Sequence, residues 1–340
     1  MATIKDIARI SGYSIGTVSR VLNNRSDVSQ EARTRIENTI KELNFQPNAN
    51  ARGLKQASPS GIYVIVRGMS NRFLVRLLEN IQAKLSEHGE NTGVLFLDET
   101  EDEVEGAIRI LGMSKPKGII FIGGSTQSFY NSFSQITVPS VLVTGSAASL
   151  NFDNLSSITT DDTAASSYAI RYLLEKGHKN ISIIGGYPVD FDEDNMSKRI
   201  SGAIATLAGN GLECDTKKIC FPCFFSMRSG YDAANKMLDQ RPETTAVFAL
   251  SDMVAFGAMR AFADRGLKVP EDISIIGFDG IDFANYYVPR LTTIVQDIEQ
   301  LSSRCVDDLL LRINYSRPAS HIVIPFSFVD GESVACPRET

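Results

Sequence analysis

The 340-residue sequence has few of the residues from which metal sites, disulfide frameworks and redox centres are built. Its five cysteines are odd in number and scattered, which favours reduced thiols in a cytoplasm over a disulfide scaffold. Cys220 and Cys223 have the spacing of a redox or zinc pair, but no second cysteine or histidine pair follows at metal-ligand distance. We interpret the pair as a coincidence on a strand, and we predict no metal site and no cofactor.

Long apolar runs are absent as well. No stretch approaches the roughly 18 residues that a membrane span requires, and Lys5, Asp6 and Arg9 interrupt any apolar segment at the amino end. We therefore expect no export signal and no membrane contact, and we expect a cytoplasmic protein. The composition, 43% hydrophobic and 22% charged, is that of a soluble globular protein.

The signature motifs of several large enzyme classes are also missing. The chain has no phosphate-binding loop of the G-x-x-x-x-G-K-[ST] type, no G-x-G-x-x-G after a predicted strand and no G-x-S-x-G nucleophile elbow. The pairs Gly123-Gly124 and Gly185-Gly186 follow predicted strands and are interpreted as turn glycines. These absences argue against an enzyme.

Positive charge is concentrated at the amino end of an otherwise acidic chain. Residues 1–58 carry nine lysines and arginines against five acids, whereas the remaining residues carry 25 against 35. A basic head on an acidic body favours a polyanion-binding module attached to a second functional unit.

Residues 3–24 have the pattern of two short helices joined by a tight turn. Thr3 can cap the first helix, Gly12 suits the left-handed conformation of the turn, and Ser14 can cap the second helix. Ala8, Gly12 and Val18 have the spacing of a DNA-binding helix-turn-helix, whose second helix enters the major groove. An ordinary helical hairpin is the alternative for so short a pattern.

A third helix and a weak linker complete the amino-terminal region. The apolar spacing over residues 29–43 predicts a helix that closes a head domain of residues 1–46. One short helix over residues 48–55 follows Pro47, with Leu54 as its apolar anchor and with Gly53, which costs about 1 kcal/mol relative to alanine. Eight residues are too few for a stable isolated helix. We therefore expect residues 47–60 to be a hinge that is frayed on its own.

From residue 61 onward, short β-rich runs alternate with amphipathic helical segments, which predicts doubly wound parallel α/β sheets. The predicted strands are too many for one sheet, so we expect two lobes within residues 61–340. The first lobe is predicted to comprise about 61–159 and 291–322, and the second about 160–290 and 323–340. The several crossovers predict a hinged cleft, a natural ligand site. The acid-rich residues 98–105 are interpreted as a solvated helix start rather than a metal site.

The whole chain resembles the lactose-repressor (LacI/GalR) family of bacterial transcription regulators. The matching motifs are residues 3–24 and 45–54 in the head and hinge, and 177–186, 199–207, 252–279 and 289–296 in the body. The resemblance implies an α/β protein with a three-helix helix-turn-helix head, a hinge helix and a two-lobed, periplasmic-binding-protein-like body. It implies a ligand-responsive repressor of carbohydrate uptake or catabolism genes. Such a repressor binds double-stranded operator DNA as a homodimer or a higher assembly, with a small sugar-like effector in the cleft.

The resemblance also implies which residues contact DNA. Family members usually carry polar side chains at the start of the recognition helix, whereas this chain has Ile15 and Gly16. Ile15 could pack against a thymine methyl group or, alternatively, against Tyr13 or the third helix; Arg20 could donate two hydrogen bonds to a guanine. The predicted DNA-contacting residues are Thr3, Ser14, Ile15, Gly16, Thr17, Arg20, Arg25, Asn50, Ala51, Leu54 and Lys55.

Leu54 is predicted to be the hinge residue that enters the minor groove at the centre of the operator. Such a wedge unstacks one base step at a cost of a few kcal/mol and kinks the duplex. Because the hinge helix is marginal alone, we expect it to fold only on operator DNA. Packing of Leu54 on the body is the alternative.

For the effector, the likeness of the body to periplasmic sugar-binding proteins implies a cleft lined by Asn71, Phe73, Arg199, Phe225, Ser251, Asp279 and Gln296. Arginine and aspartate can make charge-assisted hydrogen bonds to hydroxyl groups, and phenylalanine can stack on a sugar ring. Arg199 and Asp279 could instead form a structural ion pair, and the two phenylalanines could be core residues. A hexose, a small oligosaccharide or a phosphorylated sugar all remain open, and a freestanding solute-binding protein is the rival function.

Overall fold

The computed structural model describes residues 4–14, 17, 18, 21, 28–42, 61–124, 126–187 and 197–338. The chain divides into two compact units, residues 1–56 and residues 57–340.

The amino-terminal unit contains the predicted helix-turn-helix pattern. Its first helix, Ile4–Ser11, ends at Gly12, whose φ of +78° is the left-handed conformation expected for the turn. Ser14 then caps the next helical turn, since its Oγ accepts a hydrogen bond from the backbone N–H of Thr17 at 3.2 Å. A further helix, Gln30–Glu42, packs on this pair. The buried core of the unit comprises Ile7, Ala8, Val18, Val21 and Ile36.

The second unit contains two six-stranded sheets, which confirms the two-lobed α/β prediction. The strands are β1 (Ile62–Arg67), β2 (Thr92–Leu97), β3 (Gly118–Ile122), β4 (Ser140–Val143), β5 (Leu155–Thr160), β6 (Ile181–Ile184), β7 (Cys220–Phe221), β8 (Ala246–Ala249), β9 (Ser274–Asp279), β10 (Thr292–Gln296), β11 (His321–Ile324) and β12 (Phe326–Val329). The strand order is β11-β5-β4-β3-β1-β2 in the first sheet and β12-β10-β9-β8-β6-β7 in the second. All pairs are parallel except β10 with β12.

Helices connect the strands and cover the sheets. The α-helices are Arg72–Glu87, Glu103–Met113, Thr126–Ser132, Asp162–Glu175, Lys198–Gly209, Thr216–Ile219, Met227–Gln240, Asp252–Asp264 and Ile298–Tyr315, and 3₁₀ turns are Phe133–Gln135 and Asp282–Asn285. Most of the longer helices start at a polar side chain that accepts a hydrogen bond from a first-turn N–H, as Asn71, Asp161 and Ser251 do. Because these caps lie just after strands, they bring polar groups to the carboxyl edges of the sheets.

The predicted lobe boundaries were wrong at two points. Residues 291–296 were assigned to the first lobe, but β10 lies in the second sheet, so the chain crosses back only after Gln296. Residues 323 and 324 were assigned to the second lobe, but they belong to β11 in the first sheet. Only Asp297 separates β10 from the helix Ile298–Tyr315, and only Pro325 separates β11 from β12, so neither crossing between the lobes is marked by a turn that the sequence would show.

The sequence reading of residues 98–105 was correct in part. Asp102 caps the helix Glu103–Met113, as expected for a helix start. Glu103, however, is fully buried rather than solvated, and its Oε2 accepts a hydrogen bond from Nη1 of Arg67 at 3.2 Å. Within the described ranges, no group of acids, histidines or cysteines is arranged to hold a metal ion. Nor does any described helix combine the length and apolar character that a membrane span needs.

Cys220 and Cys223 are both free thiols in the structure. Cys220 lies in β7, and Cys223 forms an isolated β-bridge with Gly186. Burial raises the pKa of each thiol to about 12, so neither forms a reactive thiolate at neutral pH.

Candidate functional site

A cavity of about 980 Å³ lies between the two lobes at the carboxyl ends of strands from both sheets. Gly68 and Asn71 follow β1, Gly124 follows β3, Asp279 ends β9 and Gln296 ends β10, and all five line the cavity. The position is the one that open α/β sheets provide for ligands, because strand ends and helix starts converge there. The predicted cleft is therefore present, with polar groups from both lobes on its walls.

Arg199 is a tightly constrained side chain of the cavity. It lies in the first turn of helix Lys198–Gly209, and its guanidinium carbon is 3.7 Å from the centroid of the Phe278 ring. Its Nε donates a hydrogen bond to Oδ1 of Asp162 at 3.0 Å, and its Nη1 donates one to the Leu250 carbonyl oxygen at 2.9 Å. Oδ1 of Asp279 is 3.7 Å from the same Nη1. These contacts fix the guanidinium plane before any ligand arrives.

Asp279 is buried at the end of β9 with a positive φ of 119°, a strained conformation for a residue other than glycine. Burial raises the pKa of this carboxyl group to about 6, although the nearby side chains of Arg199, Ser251, Gln296 and Asn71 lower it. Its Oδ1 accepts a hydrogen bond from Nε2 of Gln296 at 2.7 Å. Its buried Oδ2 has no hydrogen-bond partner among the described residues, so it is available to accept a hydrogen bond from a ligand.

Gln296 and Asn71 connect this carboxylate to the first lobe. The Oε1 of Gln296 accepts a hydrogen bond from Oγ1 of Thr160, at the end of β5, at 2.8 Å. The Oδ1 of Asn71 accepts one from the backbone N–H of Phe73 at 3.0 Å and thereby caps the helix Arg72–Glu87. Both side chains have a structural role as well as a place on the cavity wall.

The remaining predicted effector residues differ in their position. Phe73 is 1% exposed and Phe225 is partly buried, and both line the cavity. Ser251 does not line the cavity: this residue is fully buried and caps the helix Asp252–Asp264. Its side chain also interacts with the Asp279 carboxyl group and lowers the pKa of that group. The structure thus brings six of the seven predicted residues to one cavity and places Ser251 beneath it.

The cavity residues that were not predicted from the sequence include three to which a strand-end signal pointed. Arg67 is the last residue of β1, Glu99 follows β2 by two residues, and Tyr187 follows β6 by three. The Arg67 guanidinium carbon lies 5.3 Å from the centroid of the Tyr187 ring, a contact between the two lobes. A search for polar and aromatic residues just after each predicted strand would have found all three.

Only two of the predicted DNA-contacting residues belong to the described part of the chain. Ser14 is exposed, and its Oγ lies 3.2 Å from the Thr17 nitrogen and 2.9 Å from Oγ1 of Thr17. Ser14 is thus the cap of the helix that would enter the groove. Thr3, Ile15, Gly16, Arg20, Arg25, Asn50, Ala51, Leu54 and Lys55 lie outside the described residues.

A helix-turn-helix unit joined to a two-sheet body with a polar interlobe cavity defines a DNA-binding protein with a ligand-binding domain. Residues 3–48 match the model of bacterial regulatory proteins of the lacI family, and residues 170–334 match a periplasmic binding protein-like domain. The chain is 35% identical over 335 residues to the transcriptional regulator MalR of Clostridium butyricum, covering 97% of this chain and 98% of that protein. The chain therefore belongs to the lacI family, and it is a transcriptional regulator rather than an enzyme.

Solved structures agree with this assignment. The lac repressor dimer bound to operator and the anti-inducer ONPF is 26% identical with a TM-score of 0.67, over 98% of this chain and 99% of that one. A LacI-family regulator from Enterococcus faecium with bound ribose is 28% identical with a TM-score of 0.68, over 82% of this chain and 100% of that one. The likeness covers the ligand-binding body in both cases and the whole chain in the first.

Proposed function

We propose that this protein is a cytoplasmic repressor of carbohydrate uptake or catabolism genes, controlled by a sugar-like effector in the interlobe cavity. The observation that carries the proposal is the group of partly exposed Arg199 with buried Asp279 and Gln296 at the cavity wall, with one carboxylate oxygen open to a hydroxyl donor. The ribose bound to the Enterococcus faecium regulator supports a sugar as the ligand class.

The chemistry of the cavity suits a polyol. A sugar hydroxyl can donate to Oδ2 of Asp279 and accept from a guanidinium N–H of Arg199, and hydrogen bonds to charged groups are worth about 1.5–3 kcal/mol each. Phe225 is partly exposed and provides apolar surface for a ring face, whereas Phe73, at 1% exposure, supports the cavity wall from the core. Because Arg199 is held by Asp162 and Leu250, its positioning for the ligand requires little further ordering.

The DNA-binding part follows the helix-turn-helix geometry. A twofold dimer places two recognition helices in successive major grooves of a pseudo-palindromic operator. Arg20 would read a guanine, Ser14 and Thr17 would contact the backbone at the helix start, and Leu54 would wedge into the minor groove between the half-sites. The operator-bound lac repressor dimer supports this arrangement.

A surface suited to homodimer formation lies around the 3₁₀ turn Asp282–Asn285. Tyr286 is 85% exposed and Val288 is 90% exposed, and Phe283 beside them is contacted by the guanidinium of Arg72. Large apolar side chains at such exposure are costly in water unless a partner covers them. A second copy of this chain is the partner that the twofold operator arrangement requires.

Coupling between effector and DNA would act through the angle between the lobes. Arg76 in the first lobe forms an ion pair with Asp282 in the second, and Arg67 contacts Tyr187 across the same divide. An effector that prefers one lobe angle shifts the hinge equilibrium by its differential affinity for the two states. That shift decides whether residues 48–55 can order on DNA.

Binding-site selection with genomic fragments, followed by gel shift of the full chain with and without candidate sugars, tests the proposal. We expect salt-dependent binding to a pseudo-palindromic site and a change of its affinity with at least one sugar. A protein with no DNA affinity at any salt concentration, or one whose DNA affinity no carbohydrate alters, would contradict it.

A further inference from the structure

A second set of polar and aromatic groups lies in the same cavity, apart from Asp279 and Gln296. Tyr187 follows β6, whereas Asp279 ends β9, and β8 separates these two strands in the sheet. Two strand spacings amount to roughly 9.5 Å, which is wider than one sugar ring. On the first lobe, the matching groups are Arg67 and Glu99, at the ends of β1 and of the edge strand β2.

Arg67 is held in place as firmly as Arg199. Its Nε and Nη2 donate hydrogen bonds to the Glu99 carbonyl oxygen at 3.1 and 2.8 Å, and its Nη1 donates one to Oε2 of Glu103 at 3.2 Å. The Tyr187 ring lies 5.3 Å from its guanidinium carbon. Since a guanidinium has five N–H donors, these three bonds leave donor capacity on a fixed group that faces the cavity.

The Glu99 side chain supplies an acceptor next to this donor. Its Oε1 is buried and has no hydrogen-bond partner among the described residues. Burial raises the pKa of this carboxyl group, Asp98 raises it further, and Arg67 lowers it. Gly68 leaves the space beside Oε1 open: a Cβ atom there would lie 3.7 Å from this oxygen. A buried carboxylate oxygen without a partner is costly, so a hydroxyl donor at this point would be stabilising.

Aromatic rings form the opposite side of this second set. Tyr187 packs edge-on against Phe225 and Phe224, with ring centroids 5.7 and 5.6 Å apart. Donor, acceptor and aromatic surface are the three elements a sugar ring needs, and the cavity provides them twice. Its volume of about 980 Å³ is at the upper end of the roughly 300–1,000 Å³ found for drug-sized ligands.

We propose that the effector is an oligosaccharide of at least two sugar units, with one unit on Asp279, Arg199 and Gln296 and the next on Glu99, Arg67 and Tyr187. This inference rests on the proposed function of the cavity as a sugar site. It selects the oligosaccharide over a single hexose because Tyr187 and Asp279 follow strands two spacings apart, a span wider than one sugar ring.

The same groups disfavour a phosphorylated sugar. Each arginine at the cavity already has an acidic partner, since Arg199 pairs with Asp162 and Arg67 pairs with Glu103. Among the buried side-chain atoms of the described residues, those at the cavity that lack a hydrogen-bond partner are carboxylate oxygens, one of Glu99 and one of Asp279, and both repel a phosphate.

Calorimetric titration of the full chain with glucose, galactose, maltose, cellobiose, trehalose, lactose and melibiose tests the inference. We expect one disaccharide to bind at least tenfold more tightly than its component hexose. Glu99→Gln and Tyr187→Ala should each weaken that disaccharide by about tenfold or more and change hexose affinity less than twofold. The first variant loses a hydrogen bond to a charged group, and the second loses the aromatic surface under the second sugar unit. The matched control is Glu105→Gln, which alters an exposed glutamate of the adjacent helix that does not line the cavity.

The outcomes separate the two proposals. Suppose that Asp279→Asn abolishes sugar binding, but that Glu99→Gln weakens the binding of hexose and disaccharide equally or weakens the binding of neither sugar. The second sugar position is then absent, while the sugar-effector function stands. If a hexose binds as tightly as every disaccharide built from it, the inference is likewise overturned. If none of the seven sugars binds the wild-type chain, both the proposed effector class and this inference fail.

Discussion

The guanidinium carbon of Arg199 lies 3.7 Å from the centre of the Phe278 ring, within the closest range for a cation–π contact. Phe278 is fully buried in β9, next to Asp279, so one strand supplies both the aromatic face beneath the arginine and the carboxylate beside it. Packing, hydrogen bonding and charge therefore all fix this arginine in one orientation. That rigidity is the basis of the first prediction.

Arg199→Lys should lower effector affinity by about tenfold to a hundredfold, because lysine keeps the charge but loses the planar fork. It should also reduce the free energy of unfolding by about 1–3 kcal/mol through the lost bonds to Asp162 and Leu250. Sugar titration and urea unfolding measure the two effects. Arg228→Lys, at a side chain 83% exposed, is the matched control and should change neither; equal behaviour of the two variants would refute the role of Arg199.

The second prediction concerns pH and Asp279, whose pKa burial raises from 3.8 to about 6. Between these values the folded state binds more protons than the unfolded state, so this group makes the free energy of unfolding fall as pH rises through the window. Above pH 6 the loss is complete and amounts to about 3 kcal/mol. Asp279→Asn cannot titrate, so the stability difference between variant and wild type should change by about that amount between pH 4 and pH 7. Urea unfolding at both pH values measures it, and parallel pH profiles would show that Asp279 titrates normally.

The third prediction concerns the close packing of helices Met227–Gln240 and Asp252–Asp264. A Cβ atom on Gly257 would overlap the Met227 carbonyl oxygen and lie 2.8 Å from the Tyr231 nitrogen, and both contacts are backbone atoms that cannot yield. Gly257→Ala should therefore destabilise the body by about 1–3 kcal/mol or more. Gly112→Ala, in a helix where the new methyl group meets nothing within 4 Å, should instead stabilise by up to about 1 kcal/mol. Thermal unfolding of both variants decides whether the helix spacing is as tight as described.

The fourth prediction concerns operator reading. Arg20→Ala should relax the operator consensus at one position of each half-site, at a cost of roughly 1–3 kcal/mol for the preferred base. Arg35→Ala removes the same charge from an exposed position on helix Gln30–Glu42 and should leave the consensus intact. Binding-site selection on the two variants measures the difference. An unchanged consensus for Arg20→Ala would assign the specificity to other residues.

The fifth prediction concerns the hinge. Amide exchange of residues 48–55 should be fast in the free protein and slow on operator DNA, because eight residues cannot sustain a helix alone. Leu54→Ala should lower operator affinity by more than tenfold, since the energy that offsets base-step unstacking is lost. Gel shift measures that loss. Equal protection with and without DNA would leave the proposed switch without a moving element.

The alternation of strands and helices was sufficient to predict the two-lobed α/β body, but it did not reveal β5. Leu155–Thr160 is fully buried although four of its six residues are serine or threonine, so it lacks the apolar signal of a core strand. Its polar side chains contact residues that are distant in the sequence: Nη1 of Arg312 donates a hydrogen bond to Oγ of Ser156 at 3.1 Å, and Nδ1 of His321 lies 2.9 Å from Oγ of Ser157. Hydrogen bonds between residues distant in the sequence produce no local sequence pattern. For that reason the strand was not predicted, and its end was taken as the boundary between the lobes.

The cavity residues likewise include some that the sequence could predict and some that it could not. Asn71, Arg199 and Gln296 could be predicted from the likeness of the body to periplasmic sugar-binding proteins, and the structure brings them together. Ser251 was predicted on the same basis but lies beneath the cavity as a helix cap. The position of Glu99 just after β2 could have been found from the sequence, but the lack of a hydrogen-bond partner for its buried Oε1 is a property of side-chain packing that no sequence pattern encodes.

The strand order of the body has a consequence for synthesis. The first sheet has β11 as an edge strand, and the second has β12 beside β10, so neither lobe is complete until nearly the whole chain has left the ribosome. The head forms its own compact unit from the first 56 residues and needs none of these later strands. During translation the DNA-binding module is therefore finished long before the part that regulates it, and a truncated product lacking the last 20 residues loses one edge strand from each sheet, β11 from the first and β12 from the second.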